Sequence, residues 1–503
     1  MSAETYVVDG QEVAKDCPST IEKIEALLSG INGSLTSKEK RDIFAVKLLP
    51  LLAVLSPTSL DIVAPQIKGR LGISRSALLE EVRGLGKLSE LAESSIEGGK
   101  NEFPKSRPQP QKPEEETKEE AQEEVVVPIP TYQEVEAKFR EYFHLRDTTS
   151  LKVLFATVAV NRAEGDPLWL LIVGPPSSLK TELIRSLSGV PGILPLSSIT
   201  PKTFASGDPK DKKASLLLRL PPNCILTLKD FGSVLTMYRE ARQELMGQLR
   251  EIYDGEFSKE FGNGIRISWN GKIGIIAGVT DIIETYHSVH QVLGERFILL
   301  RTEVEDRNEV GMRALQTKGF ERAIRHDIKK TVIAFFQAPH LQKPKTPLFI
   351  DWEIRLVALA DFITRARTGI LRDGYTRDIE HVPDIEGPGR LAKQFASLLM
   401  GLAVIQGREN PKEEDYAIVY KVGIDSLPRV RAKVLTALNQ EEGQAPSSLS
   451  ERLDLPEGFA KRVLEELRVL GVIRSLGGAY FLSETTKGLL ETSSPNLDVT
   501  SGK

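Results

Sequence analysis

The residues whose types and spacing could do chemistry begin at position 174. Gly174-Pro175-Pro176-Ser177-Ser178-Leu179-Lys180-Thr181 lies between the apolar run LWLLIV and the stretch TELIRSLSG. A strand, a tight loop and a helix in that order turn successive backbone N–H groups toward an anion. The pattern G-x-x-x-x-G-K-[ST] does this for a nucleotide polyphosphate: Lys180 reaches the outer phosphates, and the Thr181 hydroxyl ligates Mg²⁺. Leu179 departs from the pattern at its second glycine, where the backbone must approach phosphate closely. The expected ligands are ATP and Mg²⁺.

Hydrolysis needs an acidic group at a second strand end to hold the metal and polarise water. CILTLKDFG supplies one, with Asp230 just past the strand. There follow the helical stretch MYREARQELMGQLREIYDG, the segment EFSKEFGNGIRISWNG and the apolar run KIGIIAGVT. This succession resembles the acidic-strand to sensor-strand region of AAA+ ATPases that carry a β-hairpin before the sensor. That group includes the MCM-type helicases and the enhancer-binding activators. The resemblance covers roughly 132–430 and implies an oligomeric ATPase, typically a ring of six. It places the hairpin turn at Gly262-Asn263-Gly264 and a second tight turn at Asn270-Gly271, with Lys259 and Arg266 flanking the first as candidate contacts to nucleic acid. Where the family has Asp-Glu, this chain has Lys229-Asp230, so Asp230 must serve both metal and water, or hydrolysis is slow. Thr280 occupies the polar sensor position.

The resemblance also implies two arginines. Arg296, in LGERF, stands where the family carries a finger that reaches the neighbouring subunit's nucleotide. Arg390, in GPGR before LAKQFASLLMGLA, is similar to the lid arginine of the Holliday-junction branch-migration motor and is expected to touch phosphate. In DIIETYHSVH, His287 and His290 share a helical spacing with Asp281 and Glu284, but no second His or Cys group exists to complete a transition-metal site.

The elements that must position these residues are short apolar runs alternating with helical stretches, which predicts an α/β core with a mostly parallel sheet buried on both faces. The expected organisation is a helical N-terminal domain over 18–97 and a Pro- and Glu-rich disordered linker over 98–130. An AAA+ phosphate-loop core over 131–304 and a helical lid over 305–430 follow. A winged helix-turn-helix spans 431–490, and 491–503 form a disordered tail. In the winged unit RVRAKVLTAL, PSSLSERLDL and PEGFAKRVLEELRVLGV read as helices and IRSLGGAYFLS as the wing, with Lys461, Arg462 and Arg474 as candidate DNA contacts.

With Lys+Arg 66 against Asp+Glu 70, the net charge is -4, so any nucleic-acid surface is local. Cys17 and Cys224 are the only cysteines, which speaks against a disulfide framework. No apolar run is long enough to span a bilayer, and the N-terminus lacks the pattern of a secretory signal. A cytoplasmic protein is the expectation. The favoured function is an ATP-driven DNA motor, a helicase or remodeller in replication such as that of a mobile element, with replication proteins engaged through the terminal domains. The alternatives are a slow nucleotide-dependent assembly switch and an ATPase transcriptional regulator.

Overall fold

A computed structural model describes residues 5–8, 11–14, isolated positions between 24 and 70, and 129–496 apart from 144, 146, 177, 209–213, 222, 287–295, 304–305 and 342–349. The expected linker over 98–128 and the last residues of the expected tail, 497–503, lie outside the described residues. So do His287, His290 and Ser177.

Contacts divide the chain into a unit over 1–121 and a unit over 122–503. In the first, β1 (Thr5–Val8) pairs antiparallel with β2 (Gln11–Ala14), a ribbon not anticipated from the sequence. Ile24, Leu28, Leu52, Val63 and Ile67 are helical and almost fully buried, as an apolar helical domain requires.

The second unit opens with α1 (Tyr132–Tyr142), whose first turn is closed reciprocally. Glu134 N donates to Thr131 Oγ1 at 3.3 Å and Thr131 N donates to Glu134 Oε2 at 2.6 Å, a capping box. Next comes α2 (Thr149–Arg162), buried along most of its length. Five strands then build one parallel sheet: β3 (Trp169–Val173), β4 (Ile193–Leu196), β5 (Cys224–Leu228), β8 (Ile273–Val279) and β9 (Phe297–Arg301). Their order across the sheet is β4-β5-β8-β3-β9. Leu170 and Ile172 pack into one core and Trp169, Leu171 and Val173 into another. Period-two alternation between two apolar layers is why these strands read as continuous hydrophobic runs. Each fully buried aliphatic side chain stabilises by about 1.5–3 kcal/mol.

Two devices set the sheet against its helices. The Asn161 amide, near the end of α2, donates to Thr157 O at 2.9 Å and Leu168 O at 2.8 Å and accepts from Leu168 N at 3.0 Å. A Cβ at Gly274 would come within 2.6 Å of that amide, so the strand passes it only as glycine. The Trp169 indole N–H donates to Ile273 O at 2.7 Å, joining the starts of β3 and β8.

The helix that follows the loop after β3 is α3 (Lys180–Ser186). Helix α4 (Arg239–Tyr253) leads into the hairpin β6 (Glu256–Glu260) and β7 (Arg266–Asn270), which pair antiparallel in register. Its turn lies over 261–265, where Gly264 has φ +79°, matching the expected Gly262-Asn263-Gly264 position. Asn270-Gly271, the expected second tight turn, instead ends β7 and carries the chain out of the hairpin into β8 of the main sheet.

Beyond β9 the chain is helical: α5 (Arg307–Gln316), α6 (Glu321–Phe335), α7 (Ile350–Arg367), α8 (Gly389–Val404) and α9 (Glu413–Asp425). A small ribbon, β10 (Leu371–Arg372) with β11 (Ile379–His381), interrupts them. The C-terminal unit comprises α10 (Arg429–Gln440), α11 (Pro446–Leu453), α12 (Glu457–Val469) and the hairpin β12 (Ile473–Leu476) with β13 (Ala479–Leu482). The expected three helices and hairpin are present. A further helix, α13 (Glu484–Ser493), closes the unit and packs on α7, so the chain is ordered past the expected start of the tail at 491. None of the described helices is long and apolar enough to cross a membrane.

Candidate functional site

Because the strands run parallel, their C-terminal ends share one edge of the sheet, and the loop 174–181 leaves β3 at that edge. Gly174 N donates to Val279 O at 3.1 Å, and Thr302 N donates to Val173 O at 2.8 Å. A Cβ at Gly174 would come within 2.2 Å of Thr302 Oγ1, so this first glycine is required by close packing. Leu179 has φ +61° and ψ −6°, the left-handed conformation that glycine adopts freely. At this position the chain thus takes a backbone conformation that favours glycine, in spite of the leucine.

Lys180 is buried. Its Nζ donates to Gly174 O and Pro175 O, each at 2.6 Å, and to Ser178 Oγ at 3.1 Å. Burial pushes its pKa below the usual lysine value, while Asp281 first and Asp230 second oppose the shift. The ammonium is thus folded back on its own loop. Thr181 is exposed on the first turn of α3.

At the end of β5, Phe231 N donates to Gly278 O at 2.7 Å and anchors the turn. Asp230 is exposed, and its Oδ1 accepts from Gly232 N at 2.8 Å. Its second oxygen is left toward solvent, which suits a metal that keeps most of its water and takes one or two carboxylates plus phosphate. Thr181 and Asp230 are the side chains that would hold Mg²⁺ here, and among the described residues no group of three or more His, Cys, Asp or Glu forms a metal cluster. Thr280 is half-buried at the end of β8, between the loop strand and the Asp230 strand.

Asp281 is the residue that sequence reasoning passed over. It stands two residues past the end of β8, acts on Lys180 more strongly than Asp230 does, and lies 3.6 Å from Arg429. The signal was available, since a carboxylate after a strand end beside the loop strand is as well placed as Asp230. The sequence pattern groups it only with Glu284, His287 and His290, as a candidate metal set.

The two arginines are elsewhere. Phe297 pairs with Trp169 and Arg301 with Val173, so Arg296 stands at the opposite end of β9 from the loop. From Arg296 to Arg301, level with Val173, is about 17 Å along the strand. Arg296 is 8% exposed and its Nη2 donates to Asp254 at 2.9 and 3.1 Å. Burial lowers its pKa, and the nearby Arg390 adds to that shift. Arg390, 3.6 Å from Glu386, begins α8 at this same far edge, where Gln394 Nε2 donates to Arg296 O at 2.6 Å. The expected lid contact between Arg390 and the chain's own phosphate loop is therefore not made: α8 starts at the wrong end of the sheet.

A cavity of 660 Å³ adjoins the loop. Ser178 and Leu179 form one wall, Thr302 and Glu303 after β9 another, and α9 and α10 the far side, with Asp147 and Thr149 at the mouth of α2. Five cationic side chains line it: Arg301, Lys421, Arg429, Lys433 and Arg452. Asp425 is half-buried there, and its desolvation raises its pKa against the lowering effect of Lys421.

The candidate nucleic-acid contacts are mostly engaged within the chain. Lys259 Nζ is 2.5 Å from Glu244 Oε1 and lies over the Phe261 ring, while Arg266 is exposed. Lys461 pairs with Glu457 at 2.8 Å, and Arg474 with Glu484 at 3.4 Å. Arg462 is exposed beside Phe459. The inner face of α12 is held by Arg372 and Arg431, which share Glu466. Compared with known protein families and with curated proteins, the chain finds no match.

Proposed function

We propose that this chain binds ATP at the loop 174–181 and hydrolyses it as a subunit of an AAA+ type assembly that acts on DNA. One observation carries the reading: the loop lysine, Asp230, Thr280 and Asp281 converge at one sheet edge, with the sensor strand between the loop strand and the acidic strand. Such spacing leaves room for a water between the γ-phosphate and the acids.

In this reading the triphosphate takes the place of the carbonyl oxygens that now hold Lys180, and the base enters the 660 Å³ cavity, a size suited to a nucleotide. Asp230 and Thr280 orient a water in line with the γ-phosphorus. Its oxygen bonds to phosphorus as the bond to the β–γ bridging oxygen breaks, and ADP and phosphate leave. Lys180 offsets the charge that gathers on the outgoing oxygen. Mg²⁺, held by Thr181 and Asp230, neutralises phosphate charge when bound. The hairpin β6–β7 and the C-terminal unit are the surfaces proposed to meet DNA, through Lys259, Arg266, Lys461, Arg462 and Arg474, and replication partners would dock on the terminal domains.

A slower, switch-like ATPase is the second reading, favoured by Lys229 in place of an acid and by the burial of Arg296 against Asp254. Turnover measured with and without single-stranded, duplex and forked DNA separates the two. Stimulation by one DNA form supports the motor, and DNA-independent turnover supports the switch. Lys180→Ala is expected to lose nucleotide binding, and Asp230→Asn to keep it while losing turnover about 10²-fold or more. Nucleotide affinity unchanged in Lys180→Ala overturns the site.

A further inference from the structure

The C-terminal unit meets the phosphate edge at its first helical residue. Arg429, the first of α10, lies 3.6 Å from Asp281 and 3.8 Å from Glu303 through its guanidinium, and its backbone N donates to Glu284 Oε2 at 3.1 Å. Asp281 lies just past the C-terminal end of β8, the strand beside β3 that leads into the loop, and its charge acts on Lys180. The guanidinium thus reaches the carboxylate that opposes the loop lysine, at the wall of the cavity that the loop also lines.

The junction beside it is firmly held. Arg301 N donates to Asp425 Oδ2 at 2.9 Å, its side chain donates to Asp425 O and Leu427 O, each at 2.9 Å, and Leu299 N donates to Ser426 Oγ at 3.0 Å. The corner between α9 and α10 is therefore stitched to the edge strand β9. The Arg429 pairs are different in kind: the guanidinium and both carboxylates are substantially solvated, at 46%, 52% and 79% exposure. Exposed pairs of that sort hold weakly. A phosphate offers a guanidinium two acceptor oxygens in matching geometry and more charge.

We infer that Arg429 is a nucleotide-responsive latch: it rests on Asp281 and Glu303 and transfers to the terminal phosphate of a bound nucleoside triphosphate, turning α10 and the helix–hairpin unit behind it about the fixed corner over 425–427. Lys433, one helical turn on, is exposed, lines the same cavity and makes no ion pair among the described residues, so it follows Arg429 toward the anion. This rests on the reading of the loop as a triphosphate site. It assigns the phosphate-reading arginine to the C-terminal unit rather than to Arg390.

The test is hydrogen exchange on the full chain with no nucleotide, with ATP and a slowly hydrolysed ATP analogue, and with ADP, alongside binding measured with fluorescent ATP and ADP. Expected for the unaltered chain is slower exchange at the loop with every nucleotide, and a several-fold change in α10 and the β12–β13 hairpin with the triphosphates alone. Arg429→Ala should lose the α10 response and weaken ATP about tenfold while weakening ADP less than about twofold. Arg429→Lys, which keeps the charge but not the paired geometry, should fall between. Loop protection with no change in α10, or a full α10 response in Arg429→Ala, overturns the latch and leaves the site reading intact. No protection at the loop with any nucleotide overturns both.

Discussion

At φ +61°, Leu179 holds a backbone conformation that costs a residue with a Cβ about 1 kcal/mol relative to glycine. Replacement by glycine removes that strain and the side chain together, so alanine is the needed reference. Leu179→Gly should be more stable than Leu179→Ala by about 1 kcal/mol, read from denaturation midpoints. Leu179→Gly should also bind nucleotide as tightly as the unaltered chain or more tightly. Equal stability of the two variants would mean that the loop is not left-handed at this residue. The loop was legible because its residues are consecutive: Gly174, Lys180 and Thr181 could be placed by counting. Arg429 was not, because its chemistry comes from a meeting of distant segments that no local pattern encodes.

Among the elements, α2 and the strand it faces depend on one amide. Asn161 supplies the partners of both backbone groups of Leu168, which is 1% exposed, so its loss leaves a buried N–H and a buried C=O unpaired. Each such orphan costs about 1–3 kcal/mol. Asn161→Ala is therefore expected to lower stability by at least about 2 kcal/mol, measured as a shift of the urea midpoint with unchanged slope. A shift below about 0.5 kcal/mol would place those backbone groups in contact with water. The strands themselves were readable from four- to seven-residue apolar runs, and α1 and α2 from their apolar periodicity. The order across the sheet was not, because identical runs fit many orders. The same limit misplaced Arg390. GPGR followed by a helix has a local likeness to a lid segment, but only the packing of α8 on α2 and β9 decides which sheet edge the arginine meets. The β10–β11 ribbon and α13 were missed for a plainer reason: each is short and gains its burial from a neighbour.

For the molecule as a whole, the two ends of the sheet would be complementary halves of a hydrolytic site under the proposed function. Lys180, Asp230 and Thr280 are at one end; Arg296 and Arg390 are at the other, too far to serve the same nucleotide. A second copy stacked with its far edge against the first one's loop would bring the halves together, which is the geometry of a ring. Which arginine crosses the interface follows from their surroundings. Arg296 is buried against Asp254, and freeing it would break that pair and leave the carboxylate alone. Arg390, at 33% side-chain exposure and 3.6 Å from Glu386, is less firmly held. Arg390→Ala should then bind ATP nearly normally and hydrolyse it slowly, by a factor within the 10³–10⁵ that such fingers contribute in other phosphoryl-transfer enzymes. Arg296→Ala should lower stability as well as turnover. Mixed with Lys180→Ala, the Arg390→Ala chain should regain activity, because some interfaces in a mixed ring pair an intact loop with an intact arginine. The measurement is ATPase rate against mixing ratio, with assembly followed by light scattering. Recovery with Arg296→Ala but not with Arg390→Ala would move the finger to the buried residue and require the Asp254 pair to open on assembly. No recovery with either, in a chain that stays monomeric with ATP, would leave the two edges of the sheet unrelated and the switch reading ahead of the motor.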